Sequence, residues 1–331
     1  MTKTKGAIGI DIGGTKSLFA LFDEKFALLE EIKQPTHADK GGGRAFRTMF
    51  RASVKELLRH AKKRGLAVRA IGVGCAGLID HEKARVRVSP NVKFLKGFSF
   101  RKALETVTPL PVHVANDVQA GLYGEHRLGA AKGARNAIAI FIGTGIGGAL
   151  VIDGKLYRGA TGVAGDIGNY LLHAIGPLAG SDREGVLDDI ASRTAIAGDA
   201  ATLAAKRAAP ALHKMVGSDV RQIKSSDLAK AIQRGDRAVE RLVRSRARVV
   251  GIALSNLVDF INPEVVVLGG GLVEAMPKLV RNEVRKGIAA HSTRAAVRAL
   301  KVTVASLHNH AVTTGAAKLA VDAAAGRKAK R

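Results

Sequence analysis

Asp11 is followed directly by Ile12-Gly13-Gly14-Thr15-Lys16, which sets a carboxylate beside a glycine turn, a hydroxyl and a cation. Glycines let the backbone bend and bring amide groups close to an anion. Thr15 and Lys16 add a hydroxyl and a positive charge, and the carboxylate suits the magnesium that accompanies a nucleotide. Taken alone, the stretch fits an ordinary hairpin with a solvated Asp11 equally well, but the chain repeats it. At an offset of 130 residues, Ala7–Asp23 aligns without a gap with Ala137–Asp153. Ala7, Ile8, Ile10, Ile12, Gly13 and Asp23 meet identical residues at 137, 138, 140, 142, 143 and 153, and the second turn reads Gly143-Thr144-Gly145-Ile146-Gly147-Gly148. Two glycine and threonine turns on matching hairpins suit a nucleotide held between two similar halves. A third chemically capable group is Asn116-Asp117, where a strand runs into a helix. Residues there are commonly N-caps, and capping can coexist with ligand contact.

The elements that must carry these groups follow from the apolar pattern. Ile8, Ile10 and Ile12 alternate and Leu18–Phe22 is an apolar run, so two strands flank the first turn. After Gly148, residues 149–152 continue as a strand into Asp153-Gly154, a hairpin signal. Gly143–Gly148 and Gly72–Gly77 both match the spacing of a dinucleotide fingerprint, yet neither is followed by the helix it requires, and the first turn fails as a Walker loop for the same reason. A third strand is expected over 26–33. Phe46, Phe50, Val54, Leu57, Leu58 and Ala61 recur at helical spacing across 44–64, with Gly65 as the stop. A strand over 68–73 leads to Gly74-Cys75-Ala76-Gly77, small enough for close approach of another backbone or a ligand. Further on, strands are expected at 111–115, 265–268 and 302–306. Helices are expected at 118–127, 192–209 and 314–324, with one or two more across 227–260. The apolar run 265–268 ends in Gly269-Gly270-Gly271.

A chain of 331 residues with 47% hydrophobic content can build two domains with substantial cores. Cys75 is its only cysteine, which forbids an internal disulfide and suits a reducing compartment. No charged start precedes an apolar signal core, and the longest apolar run, 137–152, is broken by glycines; a soluble, cytoplasmic protein without membrane partners is expected. The formal charge of +25 is spread evenly, with 22 Lys and Arg against 10 Asp and Glu in residues 1–115. A generally cationic surface accounts for this, with nonspecific binding of a polyanion as the sharper alternative. No DNA- or RNA-binding motif accompanies the charge, so a specific nucleic-acid partner is not expected.

In order, Asp11-Ile12-Gly13-Gly14-Thr15-Lys16, Ser89-Pro90-Asn91, Asn116-Asp117, Gly143–Gly148, Ala164-Gly165-Asp166-Ile167-Gly168 and Gly269-Gly270-Gly271 resemble the motifs of ROK-family sugar kinases, glucokinase-like members above all, over about residues 7–320. The resemblance implies an α/β, two-lobed hexokinase/actin-like (ribonuclease H-like) fold with an interlobe cleft. The small lobe would comprise 1–115 plus about 308–331 and the large lobe 116–307. It implies ATP and Mg2+, a hexose acceptor and a homodimer. Asp117 would be the catalytic base, with Gly77, Asn91, Asn116, Asp166, Asn169 and Asp188 also at the sugar. Asp11, Gly13, Gly14, Thr15, Lys16, Thr144 and Gly145 would serve the nucleotide phosphates, Gly269, Gly270 and Gly271 the adenosine, and Asp11 the magnesium directly or through water.

The chain also departs from that pattern. Where zinc-bearing members have a Glu followed three residues later by a His, it has Asp166 and Asn169, and no cysteine follows Cys75, so the family's zinc site cannot form. His173, without partners in sequence, reads as structural or exposed. Asp188 stands where the family carries another Glu. Glucose phosphorylated at its 6-hydroxyl is the expected reaction. Another hexose, an amino sugar, or polyphosphate as donor are the alternatives within the enzyme class, and a sugar-binding regulatory protein is the alternative outside it. Relatives of the regulatory kind carry an added N-terminal DNA-binding domain, for which a hairpin starting at residue 7 leaves no room.

Overall fold

The computed structural model describes residues 4–36, 42–89, 92–172 and 185–328. In chain order it contains β1 (Lys5–Ile12), β2 (Lys16–Asp23), β3 (Leu28–Pro35), α1 (Gly42–Lys63), β4 (Ala67–Cys75), β5 (Leu78–Asp80), β6 (Arg85–Val88), α2 (Phe100–Leu104), β7 (Val112–Asn116) and α3 (Asp117–Leu128). There follow β8 (Ala137–Ile142), β9 (Ile146–Ile152), β10 (Lys155–Tyr157), α4 (Leu187–Ala191), α5 (Arg193–Ala205), α6 (Pro210–Val216), α7 (Ser225–Gln233) and α8 (Arg237–Ile261). The chain closes with β11 (Val265–Gly269), α9 (Gly271–Ala275), α10 (Pro277–His291), α11 (Arg294–Ala299), β12 (Lys301–Val304) and α12 (Ala311–Lys328).

Two compact units result, one from 1–133, 156–164 and 306–331, the other from 134–155 and 165–305. The first therefore runs on past residue 115, the boundary expected from the resemblance, and keeps α3 with the sheet that carries it. Each unit is α/β and built on a five-stranded sheet, ordered β3-β2-β1-β4-β7 in the first and β10-β9-β8-β11-β12 in the second. The same order in both extends the hairpin repeat of the sequence to whole sheets. In each, an antiparallel hairpin is continued by parallel strands.

The first core lies between its sheet and α1, where Phe46, Phe50, Val54, Leu57 and Ala61 form one fully buried stripe. Six of the ten phenylalanines meet here, with ring centroids of Phe19, Phe46, Phe50, Phe94, Phe98 and Phe100 5.1–6.5 Å apart. α12 covers the other face of this sheet. It lies so close to β1 and β4 that a Cβ on Gly9 or Gly72 would overlap the backbone of Thr313 or Ala316. The second core is aliphatic and packs β8 and β11 against α5, α8 and α10.

Local chemistry explains where the elements depart from the sequence pattern. Phe26, expected to begin a strand, sits instead in the turn before β3 at φ +64°. The helix expected over 192–209 is α5, which stops at Ala205 because Arg207 takes the left-handed conformation (φ +59°), and Pro210 then opens the separate α6. The helical region 227–260 divides at Gly235 (φ +92°). Its neighbour Asp236 is buried, and its carboxylate accepts the amides of Ala211 and Leu212 at 3.1 and 2.7 Å.

Candidate active site

In the first unit, three adjacent parallel strands bring the acidic residues to one end of the sheet. Asp11 on β1 lies opposite Gly74 on β4, and Gly74 and Cys75 lie opposite Ala115 and Asn116 on β7. Asp117 follows as the first residue of α3. A Cβ at position 74 would overlap Val312 Cγ1, so glycine there makes room for α12, and the Asp117 Cα lies in ordinary contact range of the same point. Burial, and after it the charge of Asp117, push the Asp11 carboxyl up to about 7, with Lys16 offsetting part of the effect. Cys75 is fully buried beside the same two carboxylates, which with its burial hold the thiol well above its usual range. It is an inert packing residue.

Asn116 is the N-cap of α3, its Oδ1 accepting from the amides of Val118 at 2.9 Å and Gln119 at 3.2 Å. Its Nδ2 donates to the Gly77 carbonyl at 3.3 Å, which joins two of the residues expected at the sugar. The capping and ligand-binding readings are thus compatible, because one amide hydrogen of Asn116 remains for a hydroxyl. Gly77, at φ +114°, is required by the chain itself: a Cβ there would overlap the Val88 carbonyl where β6 returns. Asn91 and His173 lie outside the described residues.

The two glycine turns occupy equivalent positions at the repeat offset but close on carbonyls one residue apart in register. In the first, the Gly13 amide closes the turn onto the Lys16 carbonyl at 3.1 Å, so it is engaged inside the loop and not offered to a phosphate as expected. The amides of Gly14 and Thr15 have no acceptor among the described residues. In the second, the Gly143 amide bonds to the Gly145 carbonyl at 2.8 Å, and the amides at 144 and 145 are those without an acceptor among the described residues. Positions 14 and 15 map onto 144 and 145 at the repeat offset. Each turn therefore presents two successive N–H groups, the arrangement that binds anionic oxygens.

In the second unit, the residues expected at the sugar surround the second turn. Asp188, near the start of α4, accepts the Ile146 amide at Oδ1, and that oxygen would lie 2.9 Å from a Cβ on Gly145. It braces the turn, a structural duty the resemblance did not imply. Asp166 and Asn169 pair directly, Asn169 Nδ2 donating to Asp166 Oδ2 at 2.6 Å. Gly269 lies beside Phe141 at the end of β8, and Gly270, at φ +86°, sits where a Cβ would stand 2.6 Å from the Ile142 carbonyl oxygen. Beyond them, a Cβ on Gly271 would meet only Ser225 Oγ, at an ordinary contact distance of 3.8 Å.

Two residues the motifs did not single out hold the second turn from α5. The Arg193 amide donates to the Gly143 carbonyl at 3.0 Å, and the Thr194 hydroxyl to the Thr144 carbonyl at 2.7 Å. The Arg193 guanidinium donates to Thr144 Oγ1 at 3.2 Å. The only trace of this in the sequence is Ser192, a helix-start residue, whose hydroxyl accepts the Ala195 amide and marks where α5 begins.

The donor set fits a magnesium-bound nucleotide. Asp11 is kept near neutrality by burial and by a facing carboxylate, a strain that a divalent cation relieves. Magnesium ordinarily takes one or two protein carboxylates and completes its shell with water and phosphate oxygens. Among the described residues, no group of three or more His, Cys, Asp or Glu is placed to hold a metal alone, and no helix is long and apolar enough to cross a membrane.

Comparison with known proteins places these features in context. The model of the ROK family matches residues 7–323. A glucokinase of Streptomyces coelicolor is 31% identical over 317 residues, which are 95% of this chain and 96% of that protein. An N-acetylmannosamine kinase of Citrobacter koseri is 32% identical over 278 residues, 83% of this chain and 87% of its own. The crystal structure of a ROK family glucokinase from Streptomyces griseus, in complex with glucose and AMPPNP, is similar with a TM-score of 0.80 at 30% identity, covering 96% of this chain and 99% of that one.

Proposed function

The chain belongs to the ROK family, and from that membership we propose that this sugar kinase transfers the terminal phosphoryl group of ATP to the 6-hydroxyl of glucose. The observation that carries the reading is the placement of Asp117 beside Asp11 at the C-terminal ends of β7 and β1, the end of a parallel sheet where ligands bind. Asp117 accepts the hydroxyl proton as the sugar oxygen attacks in line. Asn116, fixed by its cap and by Gly77, offers its remaining amide hydrogen to a sugar hydroxyl. In each unit by itself, the unclaimed amide pair, 14 and 15 in the first and 144 and 145 in the second, suits phosphate oxygens, and Lys16 adds its charge to the first turn. Asp11 orients magnesium, which when bound neutralises charge on the phosphates. The Streptomyces glucokinases support glucose and ATP as the substrates.

An amino-sugar acceptor is the second reading, favoured by one feature. Asn169 is already bonded to Asp166, which leaves that pair a changed hydrogen-bonding face for the acceptor. A panel of glucose, mannose, glucosamine and N-acetylmannosamine, assayed with ATP-magnesium by ADP release and repeated with polyphosphate as donor, separates these readings. The highest kcat/KM is expected for glucose with ATP. A preference for an amino sugar would transfer the reading to that acceptor, and turnover with polyphosphate but not ATP would replace the donor.

A further inference from the structure

The two glycine turns also differ in charge. The first carries its own cation, since Lys16 sits two residues after Gly14 and acts on Asp11. At the repeat offset, the position of Lys16 is filled by Ile146, which is buried. The second turn thus has the same pair of open amides and no local positive charge. Arg193 stands in that place from α5: its backbone amide is tied to Gly143 and its guanidinium to the Thr144 hydroxyl. Apart from Thr144, that guanidinium reaches only the Ile223 carbonyl, at 3.5 Å, and it has no carboxylate partner among the described residues. A guanidinium carries five N–H donors in a rigid fork suited to phosphate. Three of the five remain unclaimed among the described residues.

We propose that Arg193 is the cation of the second phosphate-binding turn and donates directly to oxygens of the donor's terminal phosphates. This rests on the kinase reading above and adds to it a residue recruited from another element. The arrangement also fixes what Thr144 does. Its hydroxyl accepts from Arg193 and so orients the fork, while its carbonyl is held by Thr194 and its amide stays open.

The test is equilibrium binding of magnesium-ADP and of adenosine to the full chain, as wild type and as Arg193→Ala, Arg193→Lys, Thr144→Ala and the Arg193→Ala/Thr144→Ala double variant. Loss of a hydrogen-bonding cation facing phosphate is expected to weaken ADP binding about 10- to 100-fold in Arg193→Ala. Adenosine affinity is expected to be unchanged, Arg193→Lys to recover part of the loss, and the double variant to bind ADP more weakly than either single one. Equal ADP affinity in Arg193→Ala and wild type would overturn the inference. So would a parallel loss of adenosine, which marks a disturbed fold, or a Thr144→Ala loss as large as that of the double variant, which would make Arg193 a positioning residue only. A wild-type chain that binds neither ligand would remove the kinase reading and this inference with it.

Discussion

Replacing Asp11 by Asn keeps the shape of the side chain and removes its charge, and the two effects on the protein have opposite sign. In the unfolded chain this carboxyl ionises near 3.8, and in the folded chain near about 7. The folded state therefore holds an extra proton between those values, and stability falls as pH rises through them. The cost accrues at about 1.4 kcal/mol per pH unit, ~4 kcal/mol in all by pH 8. Asp11 is only partly buried, and solvent screening brings the figure to about 2–4 kcal/mol. In magnesium-free, nucleotide-free buffer, Asp11→Asn is expected to be the more stable protein at pH 8, with the advantage shrinking steadily toward pH 4. Urea denaturation at half-unit pH intervals measures it. On the proposed role of Asp11 at magnesium, the same variant is expected to lose most of its magnesium-dependent turnover. A stability difference that does not change with pH would refute the argument, as would a variant less stable than wild type at pH 8.

Two further outcomes follow from the second unit. Glu283, whose side chain is 1% exposed, bonds Arg244 at 3.0 Å, Arg248 at 2.6 Å and Lys286 at 2.8 Å and so ties α8 to α10. Burial alone would raise its carboxyl, but hydrogen bonds from Lys286, Arg248 and Arg244 bring it to about 2. Glu283→Gln is expected to cost about 2 kcal/mol at pH 7, less than for a fully buried pair because the three cations are half-exposed. Since the folded value lies below the ordinary 4.5, that difference is present above pH 4.5 and is lost as pH falls toward 2, which denaturation at pH 7 and pH 3 checks. Asp188→Ala leaves the Ile146 amide without its acceptor and is expected to cost about 1–3 kcal/mol and to raise the KM for ATP by loosening the second turn. Asp188→Asn, which keeps an acceptor oxygen, is expected to retain most of both.

Short-range pattern sets what is legible in this sequence. Alternating isoleucines and paired glycines identify both hairpins, and the phenylalanine spacing identifies α1, because a strand or helix advertises its buried face locally. The equivalence of the two halves was visible only across Ala7–Asp23 and Ala137–Asp153, yet it extends to the order of all five strands in each sheet. What could not be read depends on partners far along the chain. Arg193 meets Thr144 across 49 residues and Asp188 meets Ile146 across 42, and no spacing rule links either pair. Asn116 was ambiguous for a different reason. Capping and ligand binding call for the same side chain at the same junction, and the structure shows the cap with the second bond to Gly77.

In the proposed reaction Asp117 takes the proton from the sugar hydroxyl. Sugar-dependent ADP release by Asp117→Ala, measured alongside its affinity for magnesium-ADP, tests it most directly. The expected result is turnover lower by about 10²- to 10⁴-fold, the contribution of a positioned general base, with the protein folded and the nucleotide still bound. Wild-type turnover in that variant would contradict the account and remove Asp117 from the chemistry.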